Sequence, residues 1–325
     1  LLIVLFFTAI NLDGASAGIS YYLTPDWSKF KSLESIANVA SAAYGQIFFS
    51  LSIGFGIMMA YASFLPRKSD IANNAHITAF ANSGTEFFAG FITFAVLGFL
   101  CLNSGIFVSD KVGSSSFGLA LISYPTAIGQ ISESVTINAL VGIAFFGSLL
   151  FLGIDSAFSL VEACVAGICD KFDLNRKMVS AMFCLLGWLV GMAFCFPVGL
   201  SLLDISDHYL SDFGLLIMGL IQCIAIGWFY GAKKIRKHIN KVSERRVTVF
   251  WEFCIKYLTP AVLLFLLYWQ FKKEFADLYE DYPDWMYVVG IGWLVLGLVI
   301  AIFLTNAKPT VKGYADTPVE DDADA

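Results

Sequence analysis

Asp155 is the residue whose surroundings most clearly suggest chemistry. It lies in LLFLGIDSAFSLVEA, within the apolar segment 135–169, which contains only two charged residues. An Asp at the centre of a membrane helix costs about 2.5–3.5 kcal/mol, so it needs a polar partner. With the Ser156 hydroxyl and the backbone carbonyls that Gly153 would loosen, it forms an oxygen-rich set of the kind that hard cations such as sodium prefer. The alternative is a hydrogen bond from Asp155 to a neighbouring helix.

A second candidate pair is Asn82 and Glu86, which lie four residues apart and would share one face of a helix. The same stretch, NSGTE, is also typical of a capping box from Ser83 to Glu86 that opens a membrane span. Both interpretations remain open from the residues alone.

Further carboxylates lie at the expected ends of apolar segments, where acidic residues are ordinary. Glu162 and Asp170 are expected near one end of the Asp155 span. Asp204, Asp207 and Asp212 are expected to cluster just before a span that begins near residue 213.

The stretch SLSIGFG, residues 50–56, is polar and rich in glycine at the centre of an apolar run. Residues 35–66 contain no Asp, Glu, Lys, Arg or His. A straight helix over them would reach roughly 48 Å, against a hydrocarbon core of about 30 Å. Gly54 and Gly56 each weaken a helix by roughly 1 kcal/mol, and freed backbone groups must be satisfied in lipid. The pattern predicts a break that faces protein, a cavity or a ligand; the alternative is close packing of a second helix on the glycines.

These candidates lie in a chain that is too apolar for a water-soluble domain. Hydrophobic residues make up 58% of its 325 residues, and the mean hydropathy is +0.74. The charge-poor runs predict an all-α, polytopic membrane protein. Seven complete spans are expected near residues 44–65, 87–109, 135–169, 178–203, 213–232, 248–271 and 285–307.

The distribution of Lys and Arg predicts the orientation in the membrane. Loops at 66–68, 171–177 and 233–246 carry twelve Lys and Arg residues, whereas the intervening loops carry five. This alternation places the basic loops, the C-terminus and the acidic tail 308–325 in the cytoplasm of a cell membrane. The stretch KKIRKHINKVSERR could alternatively contact lipid headgroups or nucleic acid, but its position between two spans favours an orientation signal.

No enzyme constellation is evident. His76, His208 and His238 fall in predicted loops or at span edges, and the sequence has no HExxH, GxSxG or Walker motif. The seven cysteines show no metal-binding spacing and are interpreted as small apolar residues. No nucleic-acid partner is indicated.

The first residues, LLIVLFFTAIN, are too few to cross a bilayer. Followed by Ala15-Ser-Ala17, they could be a signal peptide, although the positively charged n-region is missing. The other interpretation, favoured here, is that the sequence begins inside a helix.

Four stretches together resemble one family. GQIFFSLSIGFGIMMAYAS, NSGTEFFAGF, LGIDSAFSLVEA and LDISDHYLSDFGLLIMGL, in this order and spacing, resemble the neurotransmitter:sodium symporters, and most closely their bacterial amino-acid-transporting branch. The resemblance covers essentially the whole chain. It implies the C-terminal part of a twelve-helix, LeuT-type inverted-repeat transporter with a broken sixth helix. Residues 1–325 would then be one transmembrane domain fragment, from the end of helix five through helix twelve, and Ala15-Ser-Ala17 would start the external loop after helix five.

The resemblance also implies roles for individual residues. The substrate-binding positions are Phe49, Ser50, Ser52, Phe55, Ser156 and Leu160, with Phe55 walling the side-chain pocket and Phe49 capping it. Sodium ligands are Ser50 and Asn82 in one site, and the Leu152 carbonyl, Asp155 and Ser156 in a second, with half of each site present in this chain. Asp207 and Asp170 match the outer-gate and inner-gate carboxylates.

Two departures from the family pattern matter. Chloride-dependent relatives carry a serine at the position of Glu86, so a fixed carboxylate there, hydrogen-bonded by Gln46, implies chloride independence and allows proton antiport. Phe64 replaces a tyrosine that relatives often place near the inner gate, which leaves one gate hydrogen bond in doubt.

The implied function is sodium-coupled symport of an amino acid, apolar or aromatic by its pocket residues, by alternating access, with no enzymatic activity. The alternatives are a sodium-independent amino acid exchanger of the same general fold and a non-transporting membrane scaffold or receptor. Sodium-dependent binding would discriminate between these classes. Oligomeric state and the identity of the amino acid are left open.

Overall fold

A computed structural model describes residues 2–66, 68–105, 108, 124–276, 278–280 and 282–310 of the chain. Every regular element in these residues is helical, as predicted. The eleven helices used below are α1 (Leu2–Ile10), α2 (Ala15–Leu23), α3 (Leu33–Ser50), α4 (Ile57–Ser63), α5 (Ile71–Ser104), α6 (Tyr124–Gln130), α7 (Val135–Phe172), α8 (Arg176–Cys195), α9 (Gly199–Val242), α10 (Val249–Ala276) and α11 (Asp284–Asn306).

Six of these helices, α5 and α7 to α11, are long and apolar enough to cross a membrane. The pair Leu2–Ile10 and Ala15–Phe30, which includes the 3₁₀ turn Trp27–Phe30, is bent by 109°. A multi-pass membrane protein is therefore confirmed, but the segment expected as a complete span at 44–65 is instead divided between α3 and α4.

The first compact unit consists of Leu1–Ala43, Asp70–Ser156 and Arg236–Val247. Its core lies where α1 and α2 pack along α5, around Leu5, Ala9, Ala15, Ile92 and Ala95. The contact of α2 with α5 is so close that a Cβ on Gly18 would overlap the Phe94 carbonyl. Small residues at helix crossings let membrane helices approach in this way.

The second compact unit consists of Tyr44–Ser69, Ala157–Ile235 and Thr248–Ala325. Here α9 packs against both α10 and α11. One core cluster joins α9 to α11 through Ile205, Tyr209, Phe213, Met286 and Tyr287.

Two long helices are widened by π-helical turns. These lie at Tyr209–Gly214 and Ala225–Gly231 in α9, and at Cys254–Leu258 in α10. Periodicity in the sequence did not predict them, because an inserted residue shifts the register without changing the apolar character of the run. Such turns are frequent at functional sites.

Three predicted boundaries are wrong. Helix α5 begins at Ile71 and not near 87, because Asp70 accepts a hydrogen bond from the Asn73 amide (3.0 Å) and caps it there. The capping box from Ser83 to Glu86 is therefore excluded, since both residues lie inside a continuous helix. Ala15-Ser-Ala17 forms the first turn of helix α2, and its place in an external loop stays a prediction.

The third boundary lies at Pro197. Helix α8 ends at Cys195 and α9 begins at Gly199, whereas the sequence predicted a span to 203 and another from 213. Proline has no backbone amide hydrogen to donate to the helical hydrogen bonds. Helix α8 therefore ends before Pro197, and a new helix begins after it. Asp204, Asp207 and Asp212 consequently lie within the first turns of α9 and not before it.

Candidate functional site

The predicted break is present between α3 and α4. Helix α3 ends at Ser50, and α4 begins at Ile57. Three residues of the segment have left-handed backbone angles: Ser52 (φ 54°), Gly54 (φ 91°) and Gly56 (φ 78°). Left-handed angles are easy for glycine but cost a residue with a side chain about 1–2 kcal/mol, so Ser52 carries strain of the kind often found at functional sites.

The backbone hydrogen bonds of the break point back to α3. The amides of Leu51, Ser52 and Ile53 donate to the carbonyls of Ile47 (3.0 Å), Phe49 (3.1 Å) and Phe48 (2.9 Å). The first helical bond of α4 runs from the Ala60 amide to the Gly56 carbonyl (3.0 Å). Within the described chain, the carbonyls of residues 51–55 accept none of these bonds, so the break presents backbone oxygens.

The glycines of the break do not serve mainly as a packing surface. A Cβ on Gly56 would find its nearest neighbour, Ala163 Cβ, at 4.0 Å, an ordinary contact distance. Gly54 is closer to α9, where a Cβ would lie 3.3 Å from Leu215 Cδ2. Because both glycines also have positive φ, backbone geometry and not helix packing explains them.

The break brings together the two aromatic residues predicted to enclose the substrate. The Phe49 and Phe55 rings meet edge to face, with centroids 6.1 Å apart and an interplanar angle of 76°. Phe49 is exposed, whereas Ser50, Ser52 and Phe55 are half-buried.

Helix α7 lines the same region of the second unit. Tyr61 of α4 lies 2.5 Å from Ser159, oxygen to oxygen, and Gly56 faces Ala163. The predicted substrate residue Leu160 lies between these two contact points on α7, next to Ser159, and is exposed.

The predicted ion-binding stretch of α7 differs from the break because it is not interrupted. Helix α7 runs without a break from Val135 to Phe172. The carbonyls near Gly153 thus belong to a continuous helix, and their predicted part in an ion site stays a prediction. Leu152, Asp155 and Ser156 are exposed on this helix, and their roles as sodium ligands stay predictions.

Asn82 and Glu86 lie on one face of the continuous helix α5, and both are half-buried. Tyr22 of α2 packs next to Glu86, since its ring contacts Phe87 and its hydroxyl donates to the Phe87 carbonyl (3.4 Å). The predicted pairing of Gln46 with Glu86, and that of Ser50 with Asn82 around an ion, stay predictions.

The two predicted gate residues lie at helix surfaces. Asp207 is exposed in α9 and accepts a hydrogen bond from the Ser211 hydroxyl (2.9 Å). Asp170 is exposed in the last turns of α7. Close to this end of α7, Arg176 pairs with Glu162 and stacks over the Phe64 ring at 5.3 Å. The phenyl ring at this position thus has a cationic partner in place of the expected hydroxyl contact.

Sequence reasoning missed a half-buried cluster around His208. Its two ring nitrogens lie 3.0 Å from Asp212 and 3.1 Å from Glu274, and its ring stacks on Tyr279 at 3.9 Å. Both nitrogens can donate only if the ring is protonated, so the geometry fits an imidazolium between two carboxylates. The spacing of His208 and Asp212 gave one signal, but Glu274 lies 66 residues away and could not be paired from sequence.

Tyrosines of the loop before α11 extend this cluster. The hydroxyls of Tyr282 (2.8 Å) and Tyr279 (3.2 Å) donate to the Asp204 carboxylate. Burial, followed by this hydrogen bond, raises the pKa of Tyr282 to about 12. Burial and the Asp204 charge likewise raise the pKa of Tyr279. Both phenols therefore stay neutral donors, and they tie the start of α9 to the loop.

A model of the Sodium:neurotransmitter symporter family matches residues 1–310. The chain belongs to this family. The predicted membership of a transporter family and not an enzyme family is therefore confirmed.

Three relatives of this chain illustrate the range of the family. An uncharacterised sodium-dependent transporter of Methanocaldococcus jannaschii is 38% identical over 314 residues, which is 97% of this chain and 62% of that protein. The sodium-dependent serotonin transporter of Drosophila melanogaster is 33% identical over 301 residues, which is 90% of this chain and 46% of that protein. The sodium- and chloride-dependent glycine transporter 1 of Xenopus laevis is 31% identical over 308 residues, which is 93% of this chain and 47% of that protein. The chain thus spans about half to three fifths of the length of these relatives.

Among the described residues of this symporter family member, no group of three or more His, Cys, Asp or Glu side chains is placed to hold a metal ion. The ion ligands predicted from the sequence are oxygen atoms of hydroxyls, an amide, a carboxylate and a backbone carbonyl, and they stay predictions. Oxygen ligands of this type suit alkali cations.

Proposed function

We propose that the protein is a sodium-coupled symporter of an amino acid that works by alternating access. The observation that carries the proposal is the break between α3 and α4, in which backbone oxygens are presented beside Phe49 and Phe55. Irregular backbone at membrane depth is tolerated where it lines a cavity or a ligand site. Family membership and the sodium dependence of the named relatives agree with this role.

Asp155 supports the sodium part of the proposal. A carboxylate near the middle of a 38-residue apolar helix is costly in lipid and is typical of functional sites. A bound sodium ion, held by Asp155, Ser156 and the Leu152 carbonyl, would neutralise that charge. A second ion would be held by Ser50 and Asn82, with further ligands from the rest of the protein.

The energy available fits uphill uptake. Each positive charge that enters down 100 mV releases about 2.3 kcal/mol, and a tenfold sodium gradient adds roughly 1.4 kcal/mol per ion. Two ions could therefore support several decades of substrate accumulation.

The proposed substrate is an amino acid with an apolar or aromatic side chain. Phe49, Phe55 and Leu160 offer hydrophobic contacts, while Ser50, Ser52 and Ser156 offer hydroxyls for the polar end of the substrate. The relatives named above act on serotonin and glycine, so their names do not decide between side chains for this protein.

The proposal places the protein in the cell membrane, with the basic loops and the C-terminus in the cytoplasm. In that orientation Asp207 belongs to the outer gate, and Asp170 to the inner gate. Residues 311–325 of the proposed acidic tail lie outside the described residues.

The deciding experiment is uptake of a panel of the twenty amino acids by vesicles containing the complete gene product, with sodium or choline outside. We expect uptake only with sodium, and Asp155→Asn should raise the sodium concentration for half-maximal uptake more than tenfold. Glu162→Gln is the matched control, because it removes a carboxylate from the same helix but should lower stability without changing that concentration. Equal uptake in choline would instead favour the sodium-independent exchanger.

Glu86 carries the finer proposal of chloride independence. A fixed carboxylate on α5 would supply the negative charge that chloride supplies in chloride-dependent relatives, and its protonation on the return step would give proton antiport. We expect uptake by the unmodified protein to be unchanged when gluconate replaces chloride. Glu86→Ser should make uptake chloride-dependent, and indifference of that variant to chloride would refute the proposal.

A further inference from the structure

The last segment of α9, Ala232–Val242, is strongly basic, whereas the part of the helix before it is apolar. Gly231 has a φ of 97°, which is a left-handed backbone angle. The regular helix is therefore interrupted immediately before Ala232. Residues 232–247 contain seven Lys and Arg residues and a single acidic residue, Glu244. We call this segment, Ala232–Val242, the basic segment.

The basic segment has two opposite faces. At about 100° per residue, Ala232, Ile235, Ile239 and Val242 fall within one arc of about 80°. Ala232 is fully buried, and Ile239 is 8% exposed. This apolar face therefore packs within the protein and is not available for insertion into lipid.

The four exposed lysines lie on the other side of the helix. Their positions fall within an arc of about 100°, centred nearly opposite the apolar face, and they extend over about 12 Å of helix. We call them the lysine strip: Lys233, Lys234, Lys237 and Lys241.

Aromatic residues set the depth of the strip relative to the membrane. Trp228, Phe229 and Tyr230, immediately before the basic segment, are 60%, 86% and 50% exposed. Trp and Tyr concentrate at the membrane–water interface. The Lys234 ammonium lies 5.9 Å from the centre of the Tyr230 ring, so the strip begins where the aromatic residues end.

The far end of the basic segment is held in place. The Asn240 side chain accepts from the Val247 amide (2.6 Å) and donates to the Val247 carbonyl (2.9 Å). The Ala72 amide donates to the Ser243 hydroxyl (3.1 Å), and the Glu244 amide donates to Asp70 (3.1 Å). The strip is therefore presented from a fixed helix and not from a loose loop.

We propose that the lysine strip binds the anionic phospholipid headgroups of the surrounding bilayer. The polar layer on each side of the hydrocarbon core is about 5–7 Å thick, so a strip of about 12 Å that starts at the aromatic residues passes through the phosphate level. Clusters of Lys and Arg directly beyond a membrane helix attract anionic lipids. The depth of the strip favours a lipid over an acidic peptide, and the inference is independent of transport.

The test uses the complete gene product in phosphatidylcholine nanodiscs. Spin-labelled phosphatidylglycerol and spin-labelled phosphatidylcholine are added separately, and electron paramagnetic resonance gives the association constant of each. We expect a preference for phosphatidylglycerol that weakens as salt is raised. Lys233→Gln/Lys234→Gln should weaken the association of phosphatidylglycerol at least about fivefold, the equivalent of about 1 kcal/mol, the worth of one lysine near an anionic surface.

Lys272→Gln/Lys273→Gln is the matched control, because it removes two adjacent, exposed lysines near the end of another membrane helix, α10. If phosphatidylglycerol association weakened equally in this variant, the lipid would be attracted by any exposed lysine near a helix end. That result would overturn the proposed site. Lys233→Arg/Lys234→Arg should retain the preference, and together with the salt series of the unmodified protein it keeps the test valid if the Gln variant does not fold. Strip-dependent binding of a polyglutamate peptide without any preference among lipids would also overturn the proposal.

Discussion

Gly18, at a close helix crossing, and Gly56, at a sharp change of backbone direction, have opposite roles in this protein. Gly18, where α2 crosses α5, is part of a regular helix, and its missing Cβ lets the backbone of α2 touch the Phe94 carbonyl. Gly56, in the break between α3 and α4, has ordinary space around it but a φ of 78°. Gly18 is needed because there is no room for a Cβ, whereas Gly56 is needed because the backbone adopts a left-handed φ angle.

The comparison teaches that glycine in a membrane helix must be judged by two separate quantities. One is what a Cβ would meet, and the other is the φ angle. At the α2–α5 crossing all backbone groups can stay in helical bonds. At the break they cannot, so the segment is tolerable only where polar groups or a ligand satisfy it. The break is therefore the better candidate for function.

The largest effect is expected at the crossing. Gly18→Ala would place a methyl group on the Phe94 carbonyl, so α2 must move away from α5. Overpacking of this kind costs about 3 kcal/mol and could prevent assembly. Thermal unfolding of the purified protein and its yield at the cell surface measure the loss.

Gly297→Ala in α11 is the control for that experiment, since a Cβ there would meet nothing within 4 Å. It should leave stability unchanged or raise it slightly, because Ala favours helix. Equal destabilisation by the two substitutions would contradict the assignment of Gly18 to packing.

A smaller effect on stability, but a large one on transport, is expected at the break. Gly56→Ala costs about 1–2 kcal/mol of backbone strain while its methyl group has room. We expect folded protein in nearly normal amount and uptake reduced about tenfold, because α4 shifts relative to Phe49 and Phe55. Sodium-dependent uptake per surface molecule is the measurement.

Gly56→Asn tests the cause, because Asn tolerates the left-handed region better than Ala does. It should retain more uptake than Gly56→Ala despite its larger side chain. The opposite order would mean that space, and not backbone angle, limits this position.

The sequence predicted the break but could not assign its glycines. The absence of charge over residues 35–66 and the Ser and Gly residues at its centre are local features, and the helix does end at Ser50. Whether Gly54 and Gly56 serve packing depends on what lies against them, and no local pattern contains that information. Ser52 shows the same limit, since its φ of 54° is imposed by its neighbours in a residue type that rarely adopts it.

Part of the remaining site was predictable and part was not. Asn82 and Glu86 were correctly placed on one helix face, because the spacing of four is a local property. The start of α5 was wrong, since the cap at Asp70 is reinforced by the Glu244 amide, which is far away in the sequence. The His208 cluster depends on Glu274, 66 residues away, and so required the fold itself.

The smallest expected effect on stability concerns the first residues of α4 and α5, the helices on either side of the 64–70 connection. Helix α4 starts at Gly56 without a side-chain cap, whereas α5 starts at Asp70, whose carboxylate accepts from the Asn73 amide. Hydrogen bonds from the Asn73 and Glu244 amides hold the pKa of Asp70 below its ordinary value. A lowered pKa in the folded state means that this contribution to stability is present at neutral pH and is lost as the pH falls below about 4.

Asp70→Ala should therefore lower the melting temperature by a few degrees at neutral pH, and the difference from the unmodified protein should shrink in acid. Asp70→Asn keeps a capping side chain that does not titrate, so it should retain most of the stability and show no such pH dependence. A difference between Asp70→Ala and the unmodified protein that stays constant down to pH values near 3 would argue against the carboxylate cap. Because nothing comparable caps α4, its start should be insensitive to pH, and the entry into the break is then controlled by backbone angles and by whatever ligand the break binds.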